Sequence, residues 1–157
     1  MNKFFKILTF FVLIFAVNAC SYEPIFLKKN YDFKIEEIIL SGDKDVNSII
    51  NNRLKFFGNN ENYNKTYLIN INTDKRKKII SKDSKGDPSK FEISITTSYQ
   101  VMNLEKTLIN RKINKKNNYN NDSDKFKLEQ SEKIIVENLS EKIVDEIVSS
   151  LINLNDN

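Results

Sequence analysis

Cys20 is the only sulfur nucleophile in the chain, and the sequence contains no histidine to activate it. Without histidine there is no general base with an ordinary pKa near neutrality, no Ser-His or Cys-His pair, and no neutral imidazole for a metal. A single cysteine also rules out an internal disulfide and a thiolate metal cluster. The carboxylates offer little in return. Glu36 and Glu37 are adjacent, so in an extended chain they point to opposite faces and make a poor acid-base pair. Asp43, Asp45, Asp122 and Asp124 match no calcium-loop spacing, and helix capping accounts for Asp45 and Asp124 more simply. The chain is therefore expected not to be an enzyme and to hold neither metal nor diffusible cofactor.

Charge is the remaining chemistry. The chain of 157 residues carries a net charge of +4, and Lys75-Arg76-Lys77-Lys78 is its densest basic run, with Lys82, Lys85 and Lys90 close by. Directly after a strand and before a Gly86-Asp87-Pro88 turn, this run is expected at a hairpin tip. There it would attract a polyanion: nucleic acid, anionic lipid or phosphorylated sugar. The alternative is a solvated loop whose charges keep a sheet edge from aggregating. A second cluster, Arg111, Lys112, Lys115 and Lys116, either joins the first or belongs to a loose connection. The Asn-rich residues 117–123 are expected to be flexible.

The first residues bear on the choice of partner. Lys3 and Lys6 precede an apolar run from Ile7 to Val17, broken only by Thr9, which is the layout of a secretory signal. The run is shorter than the roughly 20 apolar residues a spanning helix needs, so a permanent transmembrane anchor fits less well. Val17-Asn18-Ala19-Cys20 resembles the lipobox of bacterial lipoproteins. That resemblance implies that residues 1–19 are a signal peptide and that Cys20 carries a covalent diacylglyceryl group. Its freed amino end would be acylated, palmitate being the expected chain. A small buried thiol, or a cysteine beside an ordinary cleavage site, is the alternative. Ser21, rather than Asp, after the cysteine implies the outer membrane. Two or more acyl chains anchor a protein stably where one does not. Export would leave little nucleic acid within reach.

One domain must carry the rest, because a chain of this size buries about two-thirds of its surface and has no room for a second core. Residues 20–30 read as a lipidated tether and 31–157 as a single domain. Tyr31, Phe33 and Ile35 alternate as a strand, and the Glu36-Glu37 pair breaks the phase before Ile38-Ile39-Leu40, as a bulge would. Ser41-Gly42-Asp43 is a turn. Val46, Ile49, Ile50, Leu54 and Phe57 keep helical spacing after an Asp45 cap, with Gly58 as the stop. Tyr67, Ile69 and Ile71 mark a second strand, and Phe91, Ile93, Ile95, Thr97, Tyr99 and Val101 line one face of a third. After a turn at residues 103–105, Thr107, Ile109, Arg111 and Ile113 suggest a fourth. A long helix then runs from Asp124 on the stripe Ile135, Leu139, Ile143, Ile147 and Leu151. The expected fold is α+β: a two-layer sandwich with both helices on one face of a four-stranded, mostly antiparallel sheet.

Cys20-Ser21-Tyr22-Glu23-Pro24-Ile25-Phe26 and the strand-helix-three-strand-helix order resemble the lipopolysaccharide-assembly lipoprotein family, LptE. Ser21 replaces the glycine found in many of its members. The resemblance implies a non-enzymatic protein, lipid-anchored at Cys20 to the inner, periplasmic leaflet of the outer membrane. It would plug and help assemble the LptD-type β-barrel that delivers lipopolysaccharide to the surface. Nucleic acid is not an expected partner. Lys75, Arg76, Lys77 and Lys78 are candidate contacts for lipopolysaccharide phosphates on charge and position alone. The main alternative is a lipid-anchored periplasmic adaptor of another outer-membrane or lipid-transport machine. A tethered solute-binding module fits poorly, because one small domain has no deep cleft between lobes.

Overall fold

The computed structural model describes residues 33–57, 63–104 and 106–155. Four strands and two helices follow in the order β1 (Phe33–Gly42), α1 (Lys44–Phe57), β2 (Lys65–Lys82), β3 (Pro88–Asn103), β4 (Lys106–Asn120) and α2 (Lys125–Asn155). The strands form one sheet in the order β1-β2-β3-β4. β1 runs parallel to β2, and the other two pairings are antiparallel. Apolar residues of both helices and of one sheet face share a single buried cluster, so the fold is the expected α+β sandwich. The proposed signal, the tether, Cys20, Tyr31 and the helix stop at Gly58 lie outside the described residues.

In β1 the register slips between Ile35 and Glu37. The extra residue restores the phase, so that Phe33 and Ile35, then Ile38 and Leu40, all turn toward the core. Gly42 closes the strand at φ +96, and a Cβ added there would stand 1.9 Å from the Thr73 carbonyl oxygen. Only glycine allows this approach. Asp43 follows and caps α1, its Oδ1 accepting the Val46 N–H at 3.0 Å. This corrects the expected cap at Asp45. The helix begins at Lys44, so residue 43 is the one whose carboxylate reaches the free amides, and Asp45 sits inside the first turn.

A second correction concerns the basic run. β2 does not end before it but continues through Lys82, and Lys75 to Lys78 pair with Ile95, Ser94, Ile93 and Glu92 of β3. The run is strand interior, not hairpin tip. β3 alternates between its two faces from Phe91 to Val101, and its backbone donors and acceptors demand a partner along the strand. The tip is the turn Asp83–Gly86, where Gly86 at φ +89 donates its N–H to the Asp83 carbonyl at 3.1 Å. Asp83 Oδ1 accepts the amides of Lys85 and Asp87, each at 2.9 Å.

The same demand orders the Asn-rich stretch expected to be flexible. Asn117, Asn118, Tyr119 and Asn120 pair with Ile93, Glu92, Phe91 and Lys90, so β4 runs to Asn120. Asn121 then donates its side-chain amide to the Pro88 carbonyl at 2.7 Å. Asp124 caps α2 as expected, its Oδ1 accepting the Phe126 and Lys127 amides at 3.0 and 3.3 Å. With 31 residues, α2 is about 45 Å long and packs on β3, β4 and α1. Its stripe Ile135, Leu139, Ile143, Ile147 and Leu151, with Val144 and Val148, is buried. Each such side chain contributes about 1.5–3 kcal/mol of transfer free energy. Among the described residues no helix is long and apolar enough to cross a membrane.

Candidate functional site

Strand alternation divides the basic run. Odd-numbered residues of β2 face the helices and even-numbered ones face away, because Tyr67, Ile69, Ile71 and Thr73 are buried while Asn72, Asp74, Arg76 and Lys78 are exposed. Lys75 therefore lies under α1, with its Nζ 2.9 Å from Asp45 Oδ2 and 3.2 Å from Asp43 Oδ2. Partial burial alone would lower the lysine pKa, but the hydrogen bonds to Asp45 and Asp43 outweigh it and hold the ammonium above its usual value. Asp43 is the counterpart. Burial works to raise its pKa, yet the Val46 amide and Lys75 hold the carboxyl below the usual value.

Lys77 lies under α2, ion-paired with Glu132 and 4.6 Å from the centroid of the Phe91 ring. Phe91 and Tyr119 stack with centroids 5.5 Å apart, and the Tyr119 hydroxyl donates to Glu132 Oε1 at 2.7 Å. Burial, then the adjacent Glu132 carboxylate, pushes the phenol pKa well above its usual value. These four side chains fasten the first part of α2 to the far end of the sheet. Lys75 and Lys77 are thus tied into the sandwich, and the groove they line with Asp45, Ile49, Ile93 and Glu132 has charges of both signs.

Arg76 and Lys78 stand on the open sheet face, where β3 and β4 complete a polar surface. Arg76 pairs across Ser94 with Lys116, Lys78 across Glu92 with Asn118, Asp74 across Thr96 with Asn114, and Asn72 across Ser98 with Lys112. These four rows hold the cations Arg76, Lys78, Lys112 and Lys116 against the carboxylates Asp74 and Glu92. Arg76 Nε lies 2.7 Å from Asp74 Oδ2, and Glu92 receives Lys78 at 2.9 Å and Lys116 at 3.6 Å. Glu92 is only 8% exposed, and the Lys78 hydrogen bond, reinforced by Lys116, holds its carboxyl below the usual value against the cost of desolvation. Asn114 donates to Thr96 Oγ1 at 2.7 Å. A face of amides, hydroxyls and surplus positive charge suits an anionic, hydroxyl-rich ligand or a polar protein wall.

The structure therefore joins half of the predicted run to half of the second cluster. Lys112 and Lys116, four apart on one strand, share a face with Arg76 and Lys78, whereas Lys115 turns to the helix side and pairs with Glu146 at 2.6 Å. Their even spacing was the available signal, but the antiparallel register that brings position 116 opposite 94 and 76 is a tertiary fact.

The fold is a small α+β sandwich, and it is similar to solved structures of bacterial proteins described as lipoproteins. The rare lipoprotein B of Shewanella oneidensis superposes with a TM-score of 0.55 at 17% identity, covering 76% of this chain and 98% of its own. An uncharacterized lipoprotein B of Nitrosomonas europaea gives 0.58 at 14% identity, covering 85% and 91%. A putative lipoprotein of Caulobacter crescentus gives 0.57 at 6% identity, covering 80% and 90%. At these identities the likeness establishes the fold. No protein-family model matches the sequence, and no curated protein matches it.

Proposed function

We propose that this protein is a lipid-anchored lipoprotein of the lipopolysaccharide-assembly type. It is attached through acylated Cys20 to the inner leaflet of the outer membrane, and it acts by binding, without catalysing a reaction. The observation that supports this best is the sandwich shared over nearly the full length of several chains described as lipoproteins, on a sequence whose Cys20 follows a signal-like segment. Its partner is an LptD-type β-barrel, whose wall the polar sheet face meets through Asn, Ser and Thr side chains. Arg76, Lys78, Lys112 and Lys116 meet phosphates of lipopolysaccharide, where a guanidinium fork and ammonium charges act at close range.

A detergent pull-down of the lipidated protein tests the partnership. Co-purification of a large β-barrel is the expected result, and its absence overturns the barrel assignment in favour of a lipid-anchored adaptor for a different machine.

A further inference from the structure

β1 and α1 leave one corner of the sandwich uncovered. β1 pairs with β2 only from Lys65 to Thr73, and the chain then turns at Asp43 into α1. β2 continues to Lys82, so its second half, Asp74–Lys82, has β3 on one side and, among the described residues, no strand on the other. This open edge is roughly 25 Å long.

The direction of its backbone groups follows from Thr73, whose carbonyl accepts the Asp43 N–H at 3.1 Å and so points to the β1 side. Backbone groups alternate sides along a strand, and the pairing with β3 is regular as far as Ile79. Lys75, Lys77 and Ile79 therefore turn their N–H and C=O groups to the open edge, while Arg76 and Lys78 turn theirs to β3. Lysines on an edge deter pairing with a chance strand. Ile79 and Ile80, 48% and 39% exposed on the same edge, invite it, because adjacent β-branched apolar residues favour strand neighbours.

The two sides of this edge differ in chemistry. On the helix side, β2 floors a cavity of about 690 Å³ between the start of α1 and the first half of α2, with Ile49, Ile93 and Val136 in its lining. Glu129 and Glu137 line it too, so apolar side chains suit it better than acidic ones. On the other side Arg76 and Lys78 border the edge, within the patch where cations outnumber carboxylates. A second copy of this chain is opposed by charge, because Lys75, Arg76, Lys77, Lys78 and Lys82 would stand on both strands of the pair.

We infer that the second half of β2 takes an extended segment of a partner protein as an added strand, with apolar side chains toward the cavity and acidic ones toward Arg76 and Lys78. Main-chain hydrogen bonds supply affinity, and the alternating side chains supply selectivity. The inference stands on the edge alone and needs neither acylation of Cys20 nor lipopolysaccharide.

The probe is a synthetic peptide of alternating glutamate and valine, about eight residues long to match the edge, with the lysine-valine peptide as control. Offered to the full chain in detergent at low salt, the glutamate peptide is expected to bind at least about tenfold more tightly. Amide exchange followed by NMR locates it. In the free protein the Lys77 and Ile79 amides exchange fast and those of Arg76 and Lys78 slowly; bound peptide slows Lys77 and Ile79. Equal binding of the two peptides, no binding, or protection on β4 instead overturns the inference. Protection of Lys77 and Ile79 without peptide, rising with protein concentration, makes a second copy the occupant and overturns the acidic partner. Ile79→Pro removes an edge-facing N–H, leaves the β3 pairing in place, and is expected to weaken peptide binding about tenfold. Equal binding by a folded variant and the parent overturns the added strand, and the exchange pattern is read on the parent chain whether or not that variant folds.

Discussion

Glu92 lies between two lysines of the open sheet face, 2.9 Å from Lys78 on β2 and 3.6 Å from Lys116 on β4. It is one of the two carboxylates of the patch, with Asp74, and it holds two of the patch's four cations. Glu92→Gln therefore raises the net charge of the face by one and releases both lysines. Binding to lipopolysaccharide or another polyanion is expected to tighten several-fold at low salt and to lose that gain at high salt. Titration calorimetry at two ionic strengths reads both.

The depressed pKa of Glu92 gives the same residue a stability signature. Its ion pairs stabilise the fold above the usual carboxylate value of 4.5 and stop doing so as pH falls through the lower folded value. Urea melts of Glu92→Gln and the parent should differ at neutral pH and converge on acidification below that window. A difference that persists at acid pH would show that packing, not charge, separates them.

Charge reversal sorts the four residues of the basic run. Arg76→Glu with Lys116→Glu changes only the open face and is expected to abolish polyanion binding with the fold intact by circular dichroism. Lys75→Gln leaves that face untouched but removes the partner of Asp43 and Asp45, so stability drops by about 1 kcal/mol while polyanion binding holds. The reverse pattern would move the binding surface to the helix side.

Asp43 unites a helix cap with that ion pair. Asp43→Ala is expected to cost about 1–2 kcal/mol, read from the denaturant midpoint. In the parent, the Asp43 contribution is present above its ordinary 3.8 and fades as pH drops through the lower folded value. The Lys75 contribution is present below its ordinary 10.5 and fades as pH climbs through the higher folded value. The alanine variant should lose most of its disadvantage at acid pH, where the Asp43 carboxyl is protonated, but keep the share of the cap at alkaline pH, where Asp43 still accepts the Val46 amide.

The Tyr99 hydroxyl donates to Ser150 Oγ at 2.9 Å across the interface of sheet and α2, and Tyr99 is 1% exposed. Tyr99→Phe leaves the ring but removes the donor to Ser150 Oγ, which keeps its own bond to the Glu146 carbonyl, so the cost is about 1 kcal/mol. Tyr99→Phe with Ser150→Ala should cost less than the two single changes added, which a double-mutant cycle measures. Strict additivity would mean that the bond contributes nothing.

Gly42 sets a limit on substitution. With the Thr73 carbonyl 1.9 Å from where a Cβ would stand and φ at +96, Gly42→Ala must push β1 from β2 or unwind the start of α1. A loss above about 2 kcal/mol is expected. Gly86 has the same sign of φ but open space around it, so Gly86→Asn should be nearly neutral. Thermal melts of the two compare the steric with the purely conformational demand.

Much of this architecture can be read from local spacing. The alternation of Phe91 to Val101, the every-fourth-residue stripe of α2, the bulge at Glu36-Glu37 and the cap at Asp124 are properties of neighbouring residues, and neighbours decide them. The missing histidines limit the chemistry before any fold exists. What the sequence alone left open depends on partners far along the chain. Lys75 to Lys78 look like a loop because no apolar residue interrupts them, and they become a strand because β3 needs hydrogen-bond partners opposite Ile95 to Glu92. Asn117 to Asn120 are ordered for the same reason. Alternation then sends Lys75 and Lys77 to the helices and Arg76 and Lys78 outward, where register supplies Lys112 and Lys116. A period of two assigns faces within a strand, but only the pairing between strands decides which charges meet.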